Sequence, residues 1–274
     1  MSQARQALRA QEPGILGRSL SLRLPERQRI SQHAHHWVQI VYVSRGALAV
    51  EAEGKRWPVP PQRCLWVPAG VEHAVETARP ASMQTIYLPP DVAPSGPTQP
   101  RLFETTPFTR QLILKTVRIG ALHSTDRSHA SMAALLAEMV PRVQAIGLEL
   151  PLPTDARALR LARFILDAPG DTRPVTAFKH MAGASTRTLE RLFLTETEMS
   201  IGRWRQHARL QHAVRLLAEG SSVSSVALDC GYESLSAFVA AFRRTLGVTP
   251  GKFLTARQLQ TPNGEELDGD QGRH

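Results

Sequence analysis

Cysteine is scarce in this 274-residue chain: Cys64 and Cys230 stand far apart, each in an apolar setting. A disulfide framework is therefore not the basis of the fold, and a reducing compartment, the cytoplasm, is expected. Long apolar runs are missing as well. The N-terminal "MSQARQALRAQEPG" has no apolar stretch of signal-peptide length, and no run reaches the length of a membrane span, so neither secretion nor a membrane partner is predicted. Acidic residues are in deficit, 24 against 33 Lys and Arg, leaving a net charge of +9. A positive field of that size favours phosphate-rich partners or anionic surfaces without choosing between them. The length suits two domains, each able to bury a core.

What is present divides in two. From Trp37 to Leu88, "WVQIVYVS", "ALAVEA", "RCLWVP", "HAVETA" and "SMQTIYL" are short, rich in Val, Ile, Tyr and Trp, and punctuated by Gly46, Gly54 and Pro-Gly turns. This texture predicts a small barrel or sandwich. Residues 89–106 open with the Pro-rich "PPDVAPSGPTQP" and are expected to be a linker. Apolar residues then recur at helical spacing in "PFTRQLILKTVRIGAL" and "SMAALLAEMVPRVQAI", which predicts a helical hairpin over 107–146, with Pro107 in a first turn and Pro141 at a kink. From 154 to 257 only helices and short turns are expected, with Thr154, Ser185 and Ser234 as N-caps and one long helix from Ile201 to Ala218 that stops at Gly220.

Within that last stretch one unit occurs twice. "TAFKHMAGASTRTLERLF" and "SSVALDCGYESLSAFVAAF" are each a short helix, a glycine turn and a second helix with apolar residues three and four apart: Leu189, Leu192, Phe193, then Phe238, Ala241, Phe242. In a helix-turn-helix the first helix braces the second, whose outward residues enter the major groove. In the first unit these are Ser185, Thr186, Arg187, Thr188, Glu190 and Arg191. Arg187 and Arg191 lie one turn apart and can each grip guanine O6 and N7, while Glu190 can accept from a cytosine amine. The competing account of the same face is a solvated surface of intrahelical Glu–Arg pairs. In the second unit, after Ser234, the outward residues are Leu235, Ser236, Ala237, Val239 and Ala240, suited to thymine methyl groups. Arg243, Arg244 and Lys252 are better placed to neutralise phosphates. The joining helix is about 27 Å long, short of the roughly 34 Å between successive major-groove faces. DNA held by both units should therefore bend toward the protein.

"STRTLERLF", "RWRQHARLQHAVRLL" and "VALDCGYESLSAFVAAFRRTLGVTPGKF" resemble the AraC/XylS family of bacterial transcription regulators, over about residues 154–257. The resemblance implies a DNA-binding domain of two helix-turn-helix units joined by one helix. Arg187, Glu190 and Arg191 then hold base-reading positions in the first unit, and Leu235, Ser236 and Ala240 in the second. Trp204, Leu210, Ala213 and Leu217 are read as core. One departure is His180-Met181, where the family has a Leu-Ala pair in the bracing helix.

The first half holds "SQHAHHWVQIVYVSRG". On a single strand His33, His35, Trp37 and Gln39 share one face and His36 points the other way. His73 follows in "PAGVEH". His33, His35, Gln39 and Gly46, then Pro68, Gly70 and His73, resemble the two motifs of a cupin barrel, with Gln39 in place of the usual Glu. That loss of a carboxylate implies weaker metal binding than in a full cupin site. Two readings of His33, His35, Gln39 and His73 stay open: a site for a divalent transition metal, the one cofactor the sequence brings up, or polar walls hydrogen-bonded within the barrel or lining an organic effector pocket.

The expected fold is thus α+β: a cupin-like β-barrel at residues 21–88, a helical hairpin that mediates dimerisation, and an all-α DNA-reading domain. The expected function is sequence-specific transcription regulation in response to a small molecule or metal, as a homodimer on operator DNA, touching RNA polymerase if it activates. Two other classes compete. A metal-dependent cupin enzyme fused to a DNA-binding domain would need an acid/base set or nucleophile beside the histidines, and none is evident; a general DNA-compacting protein would not need two unlike recognition helices.

Overall fold

The computed structural model describes residues 12–61, 63–142 and 147–253. The first half is two antiparallel sheets built from β1 (Ile15–Leu24), β2 (Arg29–His33), β3 (Val38–Arg45), β4 (Leu48–Ala52), β5 (Lys55–Val59), β6 (Arg63–Val67), β7 (His73–Glu76), β8 (Ala81–Leu88), β9 (Arg101–Glu104), β10 (Ala121–His123) and β11 (Leu150–Pro151). The strand orders are β10-β1-β8-β3-β6-β9 and β11-β5-β4-β7-β2. The expected barrel is thus not closed; two sheets face each other. Alternation along the strands decides the layers. Val41, Val43, Leu65, Val67 and Met83 of one sheet join Val50, Trp57, Val59 and Val75 of the other in the core. Gly46, where the tight turn after β3 needs a positive φ of 74°, leaves no room for a Cβ against Pro80 and Ala81.

The opposite face of the six-stranded sheet, through Ile40, Tyr42, Cys64, Trp66, Ile86 and Leu88, is covered by α1 (Pro107–Ile119) and α2 (Arg127–Arg142). Thr106 caps α1 by accepting from the Thr109 N–H, and Leu112, Ile113, Leu136 and Ala137 bury against the sheet. The hairpin is therefore part of the β domain, and β10 between its helices pairs with β1. Pro141 falls inside α2, while residues 143–146 of the predicted second helix lie outside the described residues. Two further boundaries move. The sheet begins at Ile15, upstream of residue 21, and the expected linker at 89–106 supplies β9, whose Leu102 and Phe103 are fully buried beside β6.

The second half comprises α3 (Ala156–Asp167), a 3-10 turn (Val175–Phe178), α4 (Lys179–Ala182), α5 (Thr186–Thr197), α6 (Ile201–Ala218), α7 (Val223–Asp229) and α8 (Leu235–Leu246), with residues 250–253 opening one more helix. Asp155, not Thr154, caps α3: its carboxylate accepts from the Arg157 N–H at 2.9 Å. Thr154 instead donates to Glu196 through both its N–H and its hydroxyl. Trp204, Leu210, Ala213 and Leu217 are fully buried, as read from the sequence. His180 and Met181 are exposed, and Phe178 and Ala182 do the packing of the bracing segment, so the departure from the Leu-Ala pair leaves the core untouched.

The halves meet at the joint 148–152 and also through ion pairs of Arg163 on α3 with Glu51 on β4 and of Arg79 with Glu219. Leu150 and Pro151 extend the five-stranded sheet at β5. The Trp204 indole N–H donates to the Pro151 carbonyl at 2.6 Å. Gln211 on α6 donates to the Leu148 carbonyl at 2.7 Å. Leu148 belongs to the apolar cluster that runs from the β-sheet core into α6, α7 and α8, and Leu150 to the core of the first helical unit.

Candidate nucleic-acid interface and effector pocket

Each recognition helix begins at a serine whose hydroxyl accepts a backbone N–H in its first turn: Ser185 from Thr188, Ser234 from Ala237, both at 3.2 Å. Those caps set where α5 and α8 start and hence which residues face out. On α5, Leu189, Leu192 and Phe193 turn inward, while Ser185, Arg187 and Arg191 are exposed and Thr186, Thr188 and Glu190 are half-buried. Neither Arg187 nor Arg191 forms a salt bridge with a described residue, so the intrahelical pairing considered for this face is not what occupies it. Glu190 departs from the predicted geometry. Its carboxylate accepts from the Ile201 N–H at 3.3 Å, at the N-terminus of α6, where the helix dipole favours a negative charge.

On α8, Phe238, Ala241 and Phe242 turn inward and Leu235, Ser236, Ala237 and Ala240 are exposed, Leu235 at 46%. Leu235, Ser236, Val239, Ala240 and Arg243 line one shallow depression with Thr249. Arg244 and Lys252 are exposed nearby in sequence.

Two arginines of α6 are structural, a role the sequence alone does not signal. Arg205 donates to the carbonyls of Asp171 and Arg173, and Arg209 to those of Pro169 and Asp171. They fasten the loop after α3 rather than project to solvent. That loop also touches the turn of the second unit: Gly231, at φ 70°, lies so close to Gly170 that a Cβ would strike its carbonyl. A basic helix in sequence reads as a phosphate contact; only the position of the loop tells the two apart.

The histidines converge, but not along one strand. β2 ends at His33 and β3 begins at Val38 in the other sheet, so residues 34–37 cross between sheets. His33 is the register partner of His73 on β7, and their rings are 4.4 Å apart between centroids. His35 sits 5.1 Å from His73 and 5.1 Å from Tyr87 by the same measure. Gly70, in the turn before β7, donates its N–H to the His35 carbonyl at 2.8 Å and ties the two motifs together. Gln39 is buried and lies across from Tyr87 in register; its amide N–H groups donate to Thr85 and Tyr87 hydroxyls, and its Oε1 is 3.2 Å from His35 Nε2. His36, in that crossover rather than on a strand face, is exposed. Burial lowers the pKa of His35, against its hydrogen bonds to Gln39 Oε1 and the Trp37 carbonyl, and carries His73 down to about 4.

Residues 20–162 match the AraC-like ligand binding domain, and residues 180–256 match a helix-turn-helix domain. The chain belongs to the AraC family of transcription regulators. As an AraC-family protein it is a DNA-binding regulator with a ligand-binding N-terminal domain. It is 27% identical over 236 residues to the HTH-type transcriptional regulator NimR of Escherichia coli (strain K12), covering 86% of each chain. It is 37% identical over 107 residues to the regulator RipA of Corynebacterium glutamicum, covering 39% of this chain and 32% of that one. Among solved structures, unsaturated fatty acid bound ToxT from Vibrio cholerae aligns over 90% of this chain and 96% of its own at 10% identity and a TM-score of 0.37. The DNA-binding domain of AdpA, in complex with a target DNA, aligns over 40% of this chain and all of its own at 31% identity and a TM-score of 0.37. No helix among the described residues is long and apolar enough to cross a membrane.

Proposed function

We propose that this AraC-family regulator reads a specific operator mainly through Arg187 and Arg191 on α5, anchors through α8, and changes its hold on DNA when an effector occupies the pocket of His33, His35, Gln39 and His73. The observation that carries the reading is the paired geometry of α5 and α8: same serine cap, same inward spacing, exposed outward residues. Arg243, Arg244 and Lys252 neutralise phosphates, and the short α6 bends the DNA toward the protein. The chain acts as a regulator that binds its effector, as the names of its relatives support; in the pocket His35 meets Gln39, which is held in turn by Thr85 and Tyr87. Fluorescence anisotropy on the DNA upstream of its own reading frame, against scrambled DNA of equal length, tests this; equal affinity for both would leave only a general basic DNA binder.

The same regulator is proposed to act as a homodimer through the hairpin. Phe108 on α1 and Leu135 on α2 stay exposed, at 54% and 39%, while the other large apolar side chains of these helices with described burial pack inward or are half-buried. Sedimentation velocity of Phe108→Glu with Leu135→Glu should give a monomer; an unchanged dimer would place the interface elsewhere.

A further inference from the structure

Between the five-stranded sheet and helices α3 and α6 the two halves leave a cleft of about 750 Å³, a volume that suits a small organic ligand. None of His33, His35 and His73 lines it, and arginine marks it instead. Arg29, Arg56 and Arg163 are taken up by Glu51 and Glu76, and Arg27 lies beside Glu26. The remaining two, Arg79 in the turn before β8 and Arg215 on α6, share one carboxylate. Arg215 donates to Glu219 Oε1 at 2.8 Å, and Arg79 Nε lies 3.8 Å from Oε2. Arg215 also reaches His212 Nδ1 at 3.1 Å. A guanidinium only donates, so that Nδ1 accepts and the ring keeps its proton on Nε2, which has no hydrogen-bond partner among the described residues. Burial, with Arg215 adding to it, lowers the pKa of His212 to about 4, in keeping with a neutral ring. One corner of the cleft thus turns the donors of three side chains toward the two oxygens of a single carboxylate.

We propose that this cleft is a second effector site, for a hydroxylated phosphate monoester whose phosphate is held by Arg79, His212 and Arg215. Glu219 cancels only one of the two guanidinium charges, and its two oxygens leave the His212 Nε2–H unserved. A phosphate monoester brings three strong acceptor oxygens and more than one negative charge at neutral pH, and arginine grips such a group through paired N–H bonds. The rest of the wall selects the body of the ligand. Gln28, Arg56, Glu76 and Asp167 line the cleft beside Leu48 and Leu166. Hydroxyl groups find hydrogen-bond partners among these side chains, whereas an acyl chain would cover polar groups without pairing them. Arg79 belongs to the β half, while His212 and Arg215 stand on the helix that joins the two helix-turn-helix units. An occupied cleft therefore ties the sensing half to the element that spaces the two reading helices.

Only the regulatory consequence of this site rests on the regulator reading, and the test separates the two. Full-length protein is titrated by calorimetry, at constant ionic strength, with inorganic phosphate, glucose 6-phosphate, glucose and decanoate. Glucose 6-phosphate should bind at one site per chain in competition with inorganic phosphate, and glucose should not bind. Arg79→Ala and Arg215→Ala should each weaken the ester at least about 10-fold, whereas Arg243→Ala, on the DNA-binding face, should leave it unmoved. Glu219→Gln removes the carboxylate that competes for both guanidiniums and should tighten the ester about 10-fold; a purely structural role for the two arginines predicts no such gain. The Arg79 side chain is 67% exposed, so its removal spares the fold, and circular dichroism checks Arg215→Ala. No saturable binding of either phosphate probe, ester affinity unchanged in Arg79→Ala, or decanoate binding tighter than the ester overturns the proposal. Operator anisotropy on the same samples reads the regulator separately: operator binding without ester uptake removes the site and leaves the regulator standing, while ester uptake with operator affinity unmoved keeps the site and removes its regulatory role.

Discussion

Helices α5 and α8 are the same object inside and different objects outside. Both have twelve residues, a serine cap and inward residues at spacing three and four. Outside, α5 shows two arginines free of salt bridges to described residues, and α8 shows leucine, serine and alanines. Packing fixes how each helix is held, and it does so with residues that never face DNA. Reading is therefore free to differ between units without any cost to the scaffold, and the first unit carries the hydrogen-bonding capacity.

The inner likeness gives the largest expected effect. Phe193→Ala and Phe238→Ala each remove a fully buried ring, and each should cost about 3–5 kcal/mol in chemical denaturation; a large loss in one unit alone would show that only that unit is integral to the domain. The outer difference comes next. Arg187→Ala and Arg191→Ala should each give up about 1–3 kcal/mol of discrimination at one operator position, read from affinities for single-base operator variants, whereas Leu235→Ala should flatten no position by as much. A larger loss of discrimination from α8 than from α5 would reverse the assignment. Smaller again are the caps. Ser185→Ala and Ser234→Ala should each destabilise by about 1 kcal/mol, equally in both units, with base preference retained. Smallest on specificity, Arg243→Ala or Lys252→Ala should weaken specific and random DNA alike and lower the salt slope by about 1; sequence-selective loss would make these residues readers.

How far the sequence could be read follows the range of the forces involved. Helix starts at Ser185 and Ser234 and the span Ile201–Ala218 were legible because caps and periodicity act within one turn. The histidine set was legible as a spacing, but the reason for its convergence was not: a single strand with alternating faces was expected, and the chain instead crosses between sheets after His33. Strands β9 and β11 hide in proline-containing segments, since an edge strand of a few residues needs only a neighbour to pair with and leaves little periodic signal. Glu190 reads as a base contact in the sequence, and Arg205 and Arg209 do not stand out there at all; at least part of the bonding of all three is to a helix end and a loop that come near only through tertiary packing.

The joint at 148–152 bears on how this protein can be taken apart. Composition puts the border of the DNA-binding half at residue 154, but a fragment cut there loses the Pro151 carbonyl that holds the Trp204 indole and the Leu150 side chain from its own core. The same few residues complete the edge of β5 in the other half. A clean separation must give this peptide to one side and injure the other, so the two halves are not interchangeable parts. Grafting the DNA-binding half onto a different sensor would have to carry the joint along and present it with an equivalent strand to lie against.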